Sequence, residues 1–494
     1  MNGDPSTAAF LILPGGRGRF NEAADAPPVH RSLFTVYAFL THPSPVTLLA
    51  VSTSITSAAS TLPRAAALRL RSTFAALRHR NFRLFLFGQF VSLCGTLMQQ
   101  VALGWLVLEL TDSPFAVGLV TTLGSLPILL LTLYGGVVAD RVDKRRFVVT
   151  LQALMLLEAL VLGILTAGHW ITVHWIMGLA AFAGLLSAFE VPTRQALVID
   201  LVERDDLMNA IALNSSAFNV ARVIGPALAG ALIAAIGLAA CFFTNAASYV
   251  AVLAGLLAMR VETPAGAART DTIAAMKEGF RYVLDNRWPR ALVVLIAGFA
   301  IFGFPFMIMA PVFARDVLRV GASGYAALVS AIGLGAAAGA LGLAGFGKRY
   351  RKERLLMVAS SLFCATLACI ALVKSFSASL ALFTIAGWTM AANGILGNTL
   401  LQIQAPDHLR GRVMGVYSFL VLGLAPIGAL QAGFVSEHIG VRYSIGLGGA
   451  ACCLTVAWVA WYLGKSRPRG QADRWTGREL TVTGDNSQEQ AGAA

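Results

Sequence analysis

Charge is what this sequence has least of: only 13% of its 494 residues are Asp, Glu, Lys or Arg, against about 25% in a soluble domain. Acids are the scarcer sign, with 25 Asp and Glu against 38 Lys and Arg, and none falls between Asp25 and Glu109. With 57% hydrophobic residues and a mean hydropathy of +0.70, the chain has too little polar surface to cover a water-soluble body of this size, so its bulk must face lipid. Catalytic signatures are missing too. There is no GxxxxGK[ST] phosphate loop, no HExxH and no dinucleotide fingerprint at a strand–helix turn, which argues against an ATP-driven engine and a zinc hydrolase. The run Gly321-Ala322-Ser323-Gly324 has the form of an intramembrane serine-protease site, but the nearest candidate base, His438, stands in a different loop with no supporting motif. Ser323 is better read as a helix cap. The six cysteines (94, 241, 364, 369, 452 and 453) lie inside apolar runs without CxxC or Cys/His spacing, so they read as small packing residues rather than metal ligands. No enzyme, no metal and no cofactor are expected.

What is present is a series of apolar runs of spanning length. They fall at about 84–108, 114–139, 147–167, 174–197, 208–236, 239–259, 290–314, 322–346, 354–374, 378–402, 411–435 and 441–463. Twelve spans of about 20 residues account for half the chain. The division this predicts is a tail over 1–80, a first six-helix bundle over 81–260, a central loop over 261–289, a second bundle over 290–463 and a polar tail over 464–494. The first tail is rich in Ala, Ser, Pro and Gly and carries Ala67, Leu70, Phe74 and Leu77 at helical spacing among arginines, a basic amphipathic segment suited to a membrane surface within an otherwise disordered stretch. An Arg- and Ser-rich, acid-poor start also fits a transit peptide. In the central loop Ile273, Met276, Phe280 and Leu284 share one helical face.

The net charge of +13 is a matter of topology, not of nucleic acid. With the N-terminus inside, the loops 140–146, 194–206, 260–290, 348–354 and 410–412 hold nineteen Lys and Arg, and the outer loops hold four: Arg315, Arg319, Lys374 and Arg442. The positive-inside rule then puts both tails in the cytoplasm of a cell whose inner membrane the chain spans. The halves also repeat weakly. The basic loop at 140–146 follows the second span as 348–354 follows the eighth, and Asp206–Ala210 resembles His408–Arg412. Two such halves are the mark of a transporter built from parallel repeats.

The run from Gly135 through Gly136, Asp140, Arg141, Lys144 and Arg145 to Arg146 reads GxxxDRxDKRR. A cytoplasmic anchor needs the bases but not the Asp. In the fifth span stands Arg222-Val223-Ile224-Gly225-Pro226-Ala227-Leu228-Ala229-Gly230, where proline removes a backbone hydrogen bond and bends the helix while small residues remove bulk. Phe189-Glu190-Val191-Pro192-Thr193-Arg194 closes the fourth span. Together these resemble the major facilitator superfamily, in the branch of macrolide efflux proteins and enterobactin exporters, over residues of about 74–465. The resemblance implies an all-α fold of twelve transmembrane helices in two six-helix bundles. It also implies a conformational latch in which Asp140 meets the N-terminal end of the eleventh span near Gly411, favoured by the helix dipole. Gly225, Pro226 and Gly230 would form a helix bend packing on Gly335 and Gly339 of the eighth span. The departure from the pattern is Asp143, where the family prefers Gly; the matching latch position in the second half is Lys348.

Charges inside spans need reasons, since each costs roughly 2.5–3.5 kcal/mol on insertion scales. Glu158, Glu190 and Arg222 qualify. Glu190 has Arg222, Arg141 and Arg145 as candidate partners in a structural salt bridge. Glu158 has no partner evident in sequence and is the candidate proton carrier, with Glu190 the second. Gln89, Gln99 and Gln100, Asn214 and Asn219, and Asn393, Asn398 and Gln402 are cavity candidates, with helix-to-helix hydrogen bonding the equal alternative. Phe302, Phe304 and Phe306 suit either a greasy substrate or lipid. The expected protein is a monomeric, proton-coupled exporter of a small amphipathic molecule. Another solute carrier, a lysophospholipid flippase or a transport-inactive sensor on the same scaffold remain the alternatives.

Overall fold

The computed structural model describes residues 74–259, 272–346 and 350–465. Most of the amphipathic tail segment, the loop residue Lys348 and the C-terminal tail lie outside them. Among the described residues twelve helices are long and apolar enough to cross a membrane. The first half comprises Arg80–Thr111, Pro114–Ala139, Lys144–Ala167, Val173–Asp200, Leu207–Ala235 and Leu238–Ala258. The second comprises Arg287–Val317, Ala322–Phe346, Lys352–Leu372, Phe376–Gln404, Arg410–Ile439 and Val441–Gly464. Hydrocarbon offers no hydrogen-bond partner, so each backbone must satisfy itself.

The repeat hinted at by the loops is visible at single residues. Gly237 and Gly440, both at positive φ (99° and 96°), make the turns before the sixth and twelfth spans. Four residues after each turn, Cys241 and Ser444 bond back to the carbonyls of Ala229 and Ala432, eight residues before it. The seventh span departs from regular helix. Wide π turns at Phe299–Gly303 and Phe313–Val317 flank a tight turn at Phe304–Phe306 that contains Pro305. Proline withholds an amide there, and a π turn takes up the slipped register. The rings this frees pack inward: Phe306 sits against Phe363 and Phe383, and Phe304 against Phe299 and Phe363. Phe306 therefore belongs to the core of the second half rather than to lipid, and only Phe302 is exposed.

Backbones approach closely where glycine allows it. A Cβ at Gly335 would lie 1.8 Å from the Thr384 carbonyl oxygen and one at Gly339 2.7 Å from that of Trp388. This Gly pair therefore packs on the tenth span and not, as expected, on the fifth. The fifth span meets Gly333, whose Cβ would lie 2.4 Å from the Arg222 carbonyl oxygen. Positions 333 and 335 are about 200° apart around a helix, so they serve opposite neighbours.

The helix Thr272–Asp285 docks on the start of the eleventh span. Arg412 pairs with Glu278, Gly279 lies against the Arg412 carbonyl, and the Tyr282 hydroxyl donates to the Gln404 carbonyl at 2.7 Å. Burial pushes the Tyr282 phenol above its ordinary range. Leu284, the last residue of the expected apolar stripe, is exposed, while Val283 is buried.

Gly335→Leu should prevent accumulation of monodisperse protein, because overpacking here meets backbone, which moves less readily than a side chain. Gly394→Ala, where nothing lies within 4 Å, should leave thermal unfolding in detergent unchanged. Equal tolerance of both would contradict the packing described.

Candidate functional site

Among the described residues, the polar contacts that join the two halves all lie away from the basic-loop end. At the end away from the basic loops, Arg315 of the seventh span pairs with Asp112 at 2.6 Å and donates to the Leu108 carbonyl. Glu437 of the eleventh span accepts from the Ser113 hydroxyl at 2.9 Å and from the Phe115 amide at 3.1 Å. It thereby caps the second span from across the seam, where the helix dipole favours an anion. Thr122 donates to the Pro426 carbonyl, and Trp105 stacks on Tyr325. Gly118 and Gly433 bring the second and eleventh spans into backbone contact.

At the basic-loop end, every described ion pair stays within one half: Lys144 with Asp200, Arg78 with Glu203 and Asp206, Arg410 with Asp407, and Arg412 with Glu278. A Cβ at Gly136, Gly411 or Gly415 would meet nothing within 4 Å. Asp140 makes no ion pair among the described residues, so in this conformation it does not meet the eleventh span. The rest of the motif is tied to its own half. Arg145 donates to the carbonyls of Leu256 and Leu257 at the end of the sixth span, and Arg146 pairs with Asp143. The departure at Asp143 has a local reason: its carboxylate accepts from the Arg146 amide and caps the third span, with φ −63°, so no glycine is called for.

Three charges stand at depth, in three different settings. Glu158 of the third span is 4% exposed and accepts from the Gln99 amide on both oxygens, at 3.1 and 3.3 Å. The Gln99 carbonyl in turn accepts from Asn245 at 2.7 Å, and Asn245 accepts from Ser248. This chain ties the first, third and sixth spans together, and no cation lies within ion-pair distance of Glu158 among the described residues. Glu190, also buried, accepts from Arg194 at 2.8 Å and Gln152 at 3.1 Å. Its partner is thus one turn away on its own helix, and none of the three expected. Arg222 has no hydrogen bond or ion pair among the described residues and lies only over the Phe218 ring, 5.5 Å from its centre.

The remaining polar candidates divide. Gln99 is held in the Glu158 network. Asn393 accepts from Ser360 at 2.5 Å and donates to the Thr389 carbonyl, a buried contact between the ninth and tenth spans. Ser360 and Gln152 are each the ninth residue of their helix, and Asn393 and Glu190 each the eighteenth. The second half thus makes with neutral groups the contact that the first half makes with an acid. Gln402 donates to Asn398 on an exposed face, and Asn219 donates to its own helix at Ser215. Gln89 and Asn214 each bury a carbonyl oxygen without a partner. Gly225 of the fifth-span motif lies against Cys94 and Leu97 of the first span, and Gly230 against Ala326 of the eighth.

Sequence reasoning overlooked the Asp112, Arg315 and Glu437 cluster, which joins residues over 200 positions apart; Arg315 counted only as an outer-loop cation. The signal was faint: an acid just past one span and a base at the end of another.

Twelve helices in two repeated halves, sealed at one end and parted at the other, define a transporter of the major facilitator class. Solved structures of that class superimpose on it. The nucleoside transporter NupG matches with a TM-score of 0.60 at 12% identity over 78% of this chain and 99% of its own. A bacterial homologue of the lysosomal transporter Spinster matches at 0.59 and 16% identity over 78% and 96%. Residues 71–482 match the family described as transmembrane secretion effector, and the chain belongs to that family. Its relatives include the multidrug efflux pump Tap of Mycolicibacterium fortuitum, 24% identical over 73% of this chain and 90% of that one. The staphyloferrin A transporter of Staphylococcus aureus is 25% identical over 75% and 94%, and the enterobactin exporter EntS of Escherichia coli 25% identical over 72% and 86%.

Glu190→Gln leaves Arg194, whose side chain is 14% exposed, without its counter-charge, and should cost about 3 kcal/mol of stability. Adding Arg194→Gln should restore most of that loss in thermal unfolding, since Asn393 and Ser360 show that a neutral pair suffices. Equal losses in the single and double variants would contradict a structural pair.

Proposed function

We propose that this chain is a proton-coupled exporter of small amphipathic molecules, drugs or siderophores, that works by alternating access. The observation that carries the reading is the one-sided seam: all described polar links between halves lie at the end away from the basic loops. With the positive-inside rule that end is outer, both tails are cytoplasmic, and the conformation is open inward. The seal is suited to being broken. Asp112 is 87% exposed, so its pair with Arg315 is worth under about 1 kcal/mol, and glycine-lined backbone contact can slide without interlocked side chains. Asp140 is free to reach the eleventh span when the inner end closes. The relatives' names support outward transport and the cargo class.

Glu158 is the proposed proton carrier. Its hydrogen-bond partner is the Gln99 amide, so taking up a proton strands no buried cation, whereas a proton on Glu190 would strand Arg194. The amide chain through Gln99 and Asn245 links that protonation to the packing of the first span.

In everted vesicles, Glu158→Gln should reduce proton-driven substrate accumulation to background while leaving downhill exchange intact, and a protonophore should abolish accumulation by the unaltered protein. Accumulation indifferent to the protonophore would sink proton coupling, and full activity in Glu158→Gln would remove this carboxylate from it.

A further inference from the structure

Arg222 is the one deep charge that the packing does not explain. It stands near the middle of the fifth span (Leu207–Ala235), about 20 Å from either end at 1.5 Å per residue. A side chain of about 7 Å cannot snorkel to the headgroups from there. The one polar interaction described for its side chain is with the Phe218 ring face, and no acid of the described second half lies within a span except near the ends.

The helix geometry says where it points. At 100° per residue, Arg222 falls between two packed sectors: Gly225, against the first span, and Gly230, against the eighth. Val220, Ile224 and Leu228, all exposed and apolar, lie on the far side and face lipid. Arg222 therefore points inward, into the seam between the halves, one turn beyond Phe218 and two beyond Asn214. Its own carbonyl lies where the fifth span touches Gly333 of the other half.

From this placement we infer that Arg222 is the anion-binding residue of the transport passage. The cargo then carries a negatively charged oxygen group, a carboxylate, sulfonate, phosphate or phenolate, beside an aromatic or apolar body that meets Phe218. The inference rests on the transport reading above and deepens it by naming the charge of the substrate. A guanidinium offers a planar fork of donors to such a group. An insertion cost of roughly 2.5–3.5 kcal/mol is offset each time an anion arrives. In the opposite state the parted halves of the outer end would expose the same group outward, so one residue serves uptake and release.

The test uses everted vesicles bearing the full chain, with fluorescein as anionic probe and ethidium as cationic probe. Saturable uptake of fluorescein above vesicles without the protein is expected. Arg222→Gln should reduce it on the order of tenfold or more, the loss of a charge-assisted bond. Arg222→Lys should retain part of it with a raised KM and an unchanged maximal rate, which a merely structural role would not produce. Size-exclusion profiles of both variants report folding, and Arg222→Lys carries the test if Arg222→Gln does not accumulate. No fluorescein uptake above background, uptake retained in Arg222→Gln, or ethidium moved in preference to fluorescein would each overturn the inference. Fluorescein uptake that survives a protonophore contradicts proton coupling but leaves Arg222 in its role.

Discussion

Hydrocarbon as solvent is the constraint from which the rest of this structure follows. It gives backbone amides no partner outside their own helix, so twelve segments are helical and the irregular turns of the seventh span occur where neighbouring helices cover them. It also removes the hydrophobic drive between helices, leaving close packing to hold them together. That is why glycine stands at the tightest approaches, as at Gly335 against Thr384 and Gly118 against Ala429. Polar groups at depth must find partners or have work to do. Glu190 finds Arg194 and Gln152, Asn393 finds Ser360, and Glu158 finds the Gln99 amide, which Asn245 holds in turn. Arg222 finds none, and it is the group that points into the seam.

The same constraint shapes what holds the halves together. Each half is tied internally by buried polar contacts and by interlocked helices. The described seam has an exposed ion pair, a helix cap supplied by Glu437, single hydrogen bonds to the Leu108 and Pro426 carbonyls, the Trp105–Tyr325 stack and the close approach of Gly118 and Gly433. Under the proposed alternating access each half would act as a rigid body and this seam would be where the chain opens. At the basic-loop end no ion pair among the described residues ties one half to the other, and the helix Thr272–Asp285 is anchored to the second half through Arg412 and Tyr282.

Most of the fold was legible because apolar runs of spanning length admit one reading, and the basic loops mark the ends. Helix limits differ from the expected spans by several residues, as at Arg80 and Gln404, because helices outrun the apolar run that reveals them. The partner of Glu190 lay one helical turn away in Arg194, a spacing readable in sequence, but more distant cations were weighed instead. Which face of the eighth span meets which neighbour was not legible. Gly333 and Gly335 differ by two positions and serve opposite sides, and only three-dimensional register separates them. The contacts at the end away from the basic loops join Asp112 to Arg315 and Ser113 to Glu437. No local pattern encodes pairs so far apart in sequence.

The proposed motion can be tested with spin labels in lipid nanodiscs, after replacing the exposed Cys369 and Cys453. One pair, Arg141→Cys with Arg410→Cys, spans the open end; the other, Glu109→Cys with Arg319→Cys, spans the sealed end. Alternating access predicts two distance populations at each end, trading reciprocally between acidic and alkaline pH or on adding substrate. A single unchanging distance at both ends, under all conditions, would contradict it.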